Sequence, residues 1–473
     1  MIDLMSDLKQ LANHPSDERV RALERIIPKH LVQEVLTQTG HARRRYKILP
    51  AWFVVWFVIG LGLFASDSHV QVYKQLQRFR RGGTPRRSAL GEARNGLGVV
   101  PLRLLAARVV RLLATPRTPG AFYQGMRLMS LDGFVVDLPD TPSNDRVFGR
   151  PQSGRAAGAF PQARILSLCE LGTHVLYQRL IKPIRCGEVT MADYLLRWLQ
   201  EDMLLLWDRN FFSYKNLKQV VRERRSNLLA RIKSNLIFEA TEVLSDGSYL
   251  AKAYPSSADR AADRHGILVR IIKYTLTDPD RPHEGEVHRL LTTLLDAEAY
   301  PAEELVMLYH ERWDHEGTIA EVKTYQLEQP VLRSKTPAGI IQEIEGLLLA
   351  HYLVRTLMFE AAQRLDLSPR RLSFTATLKI LRCRLPQVPP GDEAGLLRWW
   401  EDLLAEVGEA VLEPRRDRCN PRVIKRKMSK WPKKRPRHRK PPQPSKPFRA
   451  SIRVEQPKHS TRDANPDYQA QCV

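Results

Sequence analysis

Residues 126–140 read MRLMSLDGFVVDLPD, and residues 203–211 read MLLLWDRNF. The first stretch alternates apolar and polar positions, the pattern of a half-buried strand. The second is a short unbroken apolar run ending at Asp208, as expected of a central strand buried on both faces. Between them RILSLCEL (164–171) and HVLYQRLIKPI (174–184), separated by Gly172-Thr173, predict two more strands. Met126 to Ile184 therefore reads as three consecutive strands, helical spacing follows at 191–200, and a fourth strand occupies 203–207. An aspartate, Asp132, is placed in the first strand, where it is expected to close it, and another, Asp208, closes the fourth.

Working outward, residues 1 to about 114 carry leucine and valine at three- and four-residue spacing and predict an all-helical region. The breakers Thr115-Pro-Arg-Thr-Pro-Gly120 mark a boundary. Beyond the fourth strand, LLARI, SYLAKAY, ILVRIIKYTL and VHRLLTTLL form a β-rich block over about 226–295. Pro301-Ala-Glu-Glu304 starts a helix, with proline in its first turn and acids at the positive end of its dipole, expected to run without interruption through LVMLYHERWDHEGTIAEVKTYQL. A further helical region covers about 338–364. Past Glu413 the composition turns to proline and base.

The chain has 473 residues, 75 Lys+Arg against 52 Asp+Glu, and a formal charge of +23. With 43% hydrophobic residues it can bury a large core, which excludes a wholly disordered or disulfide-stapled protein. Sixteen bases and one acid, Asp417, lie between Arg415 and Arg449, so this tail carries most of the excess. Six prolines between Pro432 and Pro447 make the tail too polar and too broken for a core of its own, and it reads as a disordered arm contacting phosphates. The five cysteines are scattered, with no zinc spacing, and read as free thiols in a reducing compartment. The opening MIDLMSDLKQL holds no apolar signal core, pointing to the cytoplasm. Ile48 to Ala65 is eighteen residues without a charge, but Pro50, Gly60, Gly62 and its minimal length favour a buried helix over a membrane span.

On the predicted helix, Tyr309, Arg312, Glu316 and Lys323 follow at intervals of three, four and seven, which places them on one face. Together with Asp132 and Asp208, Glu316 completes the three acids that a two-metal phosphoryl-transfer site requires, because hard divalent cations take carboxylate oxygens. Arg312 and Lys323 are placed to hold a DNA backbone, and Tyr309 to contact a phosphate or a base.

Asp132 in LMSLDGFVVDLPD, Asp208 in LLLWDRNFF and the complete Y-x2-R-x3-E-x6-K series resemble the DDE transposases of the bacterial insertion-sequence family four. DLPDTPSNDRVFGRP at 137–151 and RSKTP at 333–337 add to the resemblance, which spans roughly residues 10–430. It implies an α/β fold: an RNase H-like catalytic core with the β-rich block as an insertion, preceded by an all-helical N-terminal domain and followed by helices and a disordered basic tail. The implied limits are 1–118 for the helical DNA-binding domain, 119–362 for the catalytic domain, 363–413 for the C-terminal helices and 414–473 for the tail.

The resemblance further implies that Asp132, Asp208 and Glu316 bind two Mg²⁺ ions, with Mn²⁺ as a substitute. It implies cut-and-paste transposition of an insertion sequence on double-stranded DNA, at terminal inverted repeats and a target, by a homodimer holding paired ends. A nucleoid-associated bacterial protein with no membrane is expected, and DNA contacts fall to Tyr309, Arg312, Lys323 and the tail residues Lys425, Arg426, Lys427, Lys430, Lys433 and Lys434. Phe134 and Asn210 depart from the family's D-G-T and D-R-G-F patterns, which permits a decayed DNA-binding repressor; a second alternative is a metal nuclease of the same fold that uses the same three acids and cuts without strand transfer. Asp137 and Asp140 are rival acids in the first motif, and His315, turned about 100° from Glu316 on a helix, is expected to be structural.

Overall fold

A computed structural model of the chain describes residues 19–46, 49–77, 84–153, 156–279, 285–389, 393–413 and 443–457. The amino-terminal region is helical: after a 3₁₀ turn at Arg19–Arg25 come α1 (Lys29–Gln38), α2 (Ala51–Leu63), α3 (His69–Leu76), α4 (Arg87–Leu97) and α5 (Val100–Val109). Four strands follow, β1 (Met126–Asp137), β2 (Gln162–Glu170), β3 (Val175–Pro183) and β4 (Met203–Trp207), with α6 (Glu188–Leu195) between the last two. The β-rich stretch contributes β5 (Asn227–Arg231), β6 (Tyr249–Ala253), β7 (Ile267–Leu276) and β8 (His288–Thr292). Helices α7 (Ala302–His310), α8 (Trp313–Ala320), α9 (Pro337–Arg364), α10 (Phe374–Arg384) and α11 (Glu393–Glu409) complete the main run, and β9 (Ile452–Val454) lies near the end.

The described residues form two compact units, one from 1–206 with 312–414 and the other from 207–311 with 415–473. In the first, β1 lies between β2 and β4, and β3 borders β2. β1 and β2 run antiparallel with Asp132 opposite Ser167, and β2 and β3 run antiparallel with Leu166 opposite Leu180. Every residue of β4 is buried, as its unbroken apolar run requires. Asp132 does not close β1 as expected but sits midway along twelve residues. The alternation continues through Phe134, Val136 and Leu138, which bury on one face of the strand and its exit.

The apolar stretch at 48–65 folds as α2, buried at all but one of its thirteen positions. No helix among the described residues is long and apolar enough to cross a membrane. Instead α2 packs along α9, a 28-residue helix about 42 Å long. Both helices are buried nearly all round, α2 with no polar residue at all and α9 with its buried polar groups paired. Phe53, Trp56 and Phe57 are each about fully buried, which contributes roughly 1.5–3 kcal/mol per side chain. The close approach depends on glycine: a methyl group on Gly62 would lie 2.6 Å from the carbonyl oxygen of Gly346. The amino-terminal helices thus share a core with residues 349–407 rather than standing as a body ending at 118.

In the second unit β7 pairs with β6 and β8, and β8 with β5, all antiparallel. β9 adds to β7 with Tyr274 opposite Val454, so residues 443–457, expected to be disordered, carry a strand. Polar anchors explain it. Asp278 accepts hydrogen bonds from the Ser445 hydroxyl at 2.7 Å and the Lys446 amide at 3.1 Å, and Arg449 pairs with Glu303 at 2.9 Å.

Candidate active site

Strand β1 presents Asp132 half-buried, beside a break in the helical run at 305–326. The expected single helix ends at His310 and a second begins at Trp313, because Glu311 N–H and His315 N–H bond three residues back rather than four. A π-helical turn, Glu321–Gln326, follows α8, with Leu327 N–H reaching five residues back to the Val322 carbonyl. Tyr309, Arg312, Glu316 and Lys323 therefore do not share one helical face as expected. Tyr309 and Arg312 are buried, while Glu316 and Lys323 are exposed. Tyr309 donates its hydroxyl to the Trp207 carbonyl at 3.4 Å.

Arg312 turns inward, its side chain only 7% exposed. Its Nη1 lies 3.2 Å from Asp132 Oδ2 and its Nη2 3.4 Å from Glu316 Oε1. A guanidinium fork is suited to bridging two carboxylates, since its planar donors point at both at once. The Gly133 amide donates to Asp132 Oδ1 at 2.8 Å. Burial nevertheless pushes the Asp132 carboxyl up to about 6. The Gly133 amide and Arg312 pull it down, and the neighbouring Glu316 and Glu188 push it up. Asp132 is thus a desolvated carboxyl with two further acids, Glu316 and Glu188, within reach of its charge.

His315 fastens α8 to the sheet. It is completely buried, with Nδ1 2.9 Å from Ser130 Oγ on β1 and Nε2 3.1 Å from Ser167 Oγ on β2. Ser167 donates its hydroxyl to the Asp132 carbonyl at 3.3 Å, so it accepts from Nε2–H, and Ser130 donates to Nδ1. Burial first, then the charge of Arg312 and His174, push the imidazole down to about 3, keeping it neutral. Six residues on, Glu321 is enclosed. It accepts from Arg355 Nε at 2.9 Å and lies 3.1 Å from both His174 Nδ1 and His351 Nε2. Burial alone would raise its carboxyl, but Arg355 and the two histidines hold it well below the ordinary range.

Asp208 directly follows β4, the strand beside β1, and accepts from its own neighbour's amide, Arg209 N–H, at 2.8 Å. Among the described residues no group of three His, Cys, Asp or Glu side chains is gathered closely enough to hold a metal ion. The rival acids are engaged elsewhere: Asp137 accepts from Gln162 Nε2 at 2.7 Å and Asp140 pairs with Arg150 at 2.5 Å. Phe134, the departure after Gly133, is buried in the core. Lys425, Arg426, Lys427, Lys430, Lys433 and Lys434 lie outside the described residues. Sequence reasoning missed Glu188, which faces Asp132 from the start of α6 and pairs with Arg164 at 2.9 Å, and it missed the serines that grip His315. Neither has a local signal, because both depend on which strands become neighbours.

Residues 17–107 match the family described as insertion element 4 transposase N-terminal, and residues 123–353 match the transposase DDE domain. The transposase InsG for insertion sequence element IS4 of Escherichia coli is 28% identical over 441 residues, 91% of this chain and 96% of that protein. The putative transposase InsZ of the same organism is 25% identical over 217 residues, 44% of this chain and 71% of its own length. A cryo-EM structure of the piggyBac transposase synaptic complex with hairpin DNA aligns with 84% of this chain and 86% of that one, at a TM-score of 0.40 and 12% identity. Asp132 and Glu316 both fall within the DDE match, and the chain belongs to the insertion element 4 family of DDE transposases.

Proposed function

We propose that this transposase mobilises an insertion sequence by cutting and pasting double-stranded DNA, with Asp132, Asp208 and Glu316 as its acid triad in an RNase H-like core. The observation that carries the reading is Arg312 bridging Asp132 and Glu316, from strand β1 and helix α8, inside the segment that matches the DDE domain. Asp208 is assigned as the third acid because it leaves β4, the strand next to β1. Hydrolysis of one phosphodiester at a terminal inverted repeat frees a 3′-hydroxyl, which then attacks the target strand. A homodimer holding two ends would keep both cuts coordinated.

Asp132, Asp208 and Glu316 would hold two Mg²⁺ ions, or Mn²⁺ in their place, because hard cations take carboxylate oxygens. When bound, such ions stabilise the charge developing on the attacked phosphate and activate the nucleophilic oxygen. The chain's own residues set the stage. The Gly133 amide orients Asp132, Arg312 keeps the two carboxylates from repelling each other apart, and His315 holds α8 against the sheet. Lys323, exposed beyond Glu316, and the basic residues Lys425–Lys434 supply phosphate contacts without sequence choice.

The test is a Mg²⁺-dependent assay on DNA carrying the element's own ends, comparing the parent with Glu316→Gln. The parent is expected to cut and join while the variant binds without cutting. Cut ends that never join would identify a nuclease, and binding without cutting by both proteins would identify a repressor; either result overturns the proposal.

A further inference from the structure

Away from the acids, the first unit holds a cavity of about 220 Å³ lined by His69, Arg87, Arg94, Asn95, Arg333 and Lys335. It opens where RSKTP (333–337) leads into α9, whose amino-terminal turn is capped by the Thr336 side chain accepting from Gly339 N–H at 3.2 Å. The positive end of a 28-residue helix therefore adds to the cationic wall.

The wall is built and preset. Arg94 is buried and donates to Ser334 Oγ at 2.6 Å, to the Gly339 carbonyl at 2.9 Å and to Gln342 at 3.2 Å. Arg333 donates to the Asp67 carbonyl at 2.6 Å. The nearby acid, Glu343, accepts from Ser334 Oγ at 2.6 Å and from the amides of Arg333 and Ser334, both at 3.0 Å, and pairs with the Arg333 guanidinium at 3.6 Å. One carboxylate faces four cationic side chains, so positive charge is left over. His69 senses it: its Nδ1 is buried without a hydrogen-bond partner, and burial, then Arg94, Arg333 and Arg87, push the ring down to about 4.

Position ties the cavity to the acids. Leu332 N–H donates to the Asp137 carbonyl at 3.0 Å, and the hydroxyls of Thr141 and Ser143 donate to the Lys335 carbonyl at 3.0 and 3.1 Å. The cavity's loop is thus laced to the exit of β1, and Asp137 lies five residues from Asp132, about 16 Å along a strand. Lys323 is close enough to Asp137 to feel its charge.

We infer that this cavity is a phosphate-binding site that grips the DNA backbone beyond the exit of β1, several nucleotides from the cleaved bond. The inference rests on reading Asp132 and Glu316 as the cleavage centre. The chamber has room for a phosphodiester with part of its sugar, since a water occupies only about 30 Å³ of liquid. Its contacts are charge and backbone, so it positions DNA without reading sequence.

The full-length chain and Arg87→Gln/Lys335→Gln would be compared for affinity to end-bearing DNA across salt concentrations, with phosphate-ethylation interference mapping the contacts. The variant is expected to bind uniformly more weakly, with a salt slope smaller by about 1–2, and to lose interference at a cluster of phosphates several positions from the cut. An unchanged slope and footprint in a variant with unaltered thermal midpoint would overturn the site. Inorganic phosphate is the second arm: if it stabilises the parent and not the variant while DNA binding is equal, the cavity takes free phosphate and the DNA assignment falls. Glu316→Gln separates the two readings, since loss of its cutting with an intact footprint leaves the cavity independent of the chemistry.

Discussion

Arg312 Nη1 lies 3.2 Å from Asp132 Oδ2, and this pair joins the middle of a strand to the first residue before a helix 180 positions later. Arg312→Lys retains the charge but loses the planar fork that reaches Glu316 as well. Cleavage is expected to fall by about 10²-fold, the cost of displacing a reacting group by roughly 1 Å. Single-turnover cutting at saturating DNA checks it, and an unaltered rate would remove Arg312 from the site.

His315→Leu should destabilise the first unit by about 2–4 kcal/mol, because the Ser130 and Ser167 hydroxyls lose their shared partner in a dry interior. His315→Gln, which keeps one donor and one acceptor, is expected to cost less. Urea denaturation of the two variants ranks them; equal losses would mean that volume, not hydrogen bonding, is what the site demands.

Gly62→Ala and Gly346→Ala should each cost about 1–3 kcal/mol, since a methyl at either position meets backbone of the facing helix. Gly91→Ala, on α4 with nothing within 4 Å, should instead stabilise by about 0.5–1 kcal/mol. Thermal midpoints compare the three directly. A neutral Gly346→Ala would show that α2 and α9 can separate freely.

Acid should weaken the fold through its buried histidines, partly offset by Asp132, which takes up a proton in the folded chain below about 6. The folded-state value of His69 is lowered from 6.5 to about 4, and those of His174 and His351 are lowered too. Below 6.5 the unfolded chain takes up protons that the native state refuses, so stability is full above 6.5 and declines as pH falls toward 4. His69 should account for about 1–2 kcal/mol between pH 7 and 5. Urea midpoints at the two pH values check the fall, and His69→Gln should lessen it; a variant as acid-sensitive as the parent would contradict the assignment.

Much of the architecture was legible in local pattern. Alternation in MRLMSLDGFVVD and RILSLCEL, and the unbroken MLLLW, each specify a strand because a side chain's face follows from its position along the pleat. The apolar 48–65 stretch with its glycines specified a buried helix, and the spacing of Tyr309, Arg312, Glu316 and Lys323 singled out the run from which Arg312 meets Asp132 and Glu316.

The tertiary structure decided what distant segments do to one another. The run at 305–326 is broken at 311–312 and widened at 321–326, with Glu321 drawn into a buried cluster with Arg355, His174 and His351. No helical wheel contains that cluster, because its members come from three segments. The same holds for Arg312, which the sequence offers as a DNA contact and the fold turns toward Asp132. Glu188 beside Asp132, and a cationic cavity between α4 and the head of α9, likewise exist only once the strands and helices have chosen their neighbours. Periodicity acts over a few residues and determines elements; charge pairing and desolvation act through space, and they set the site.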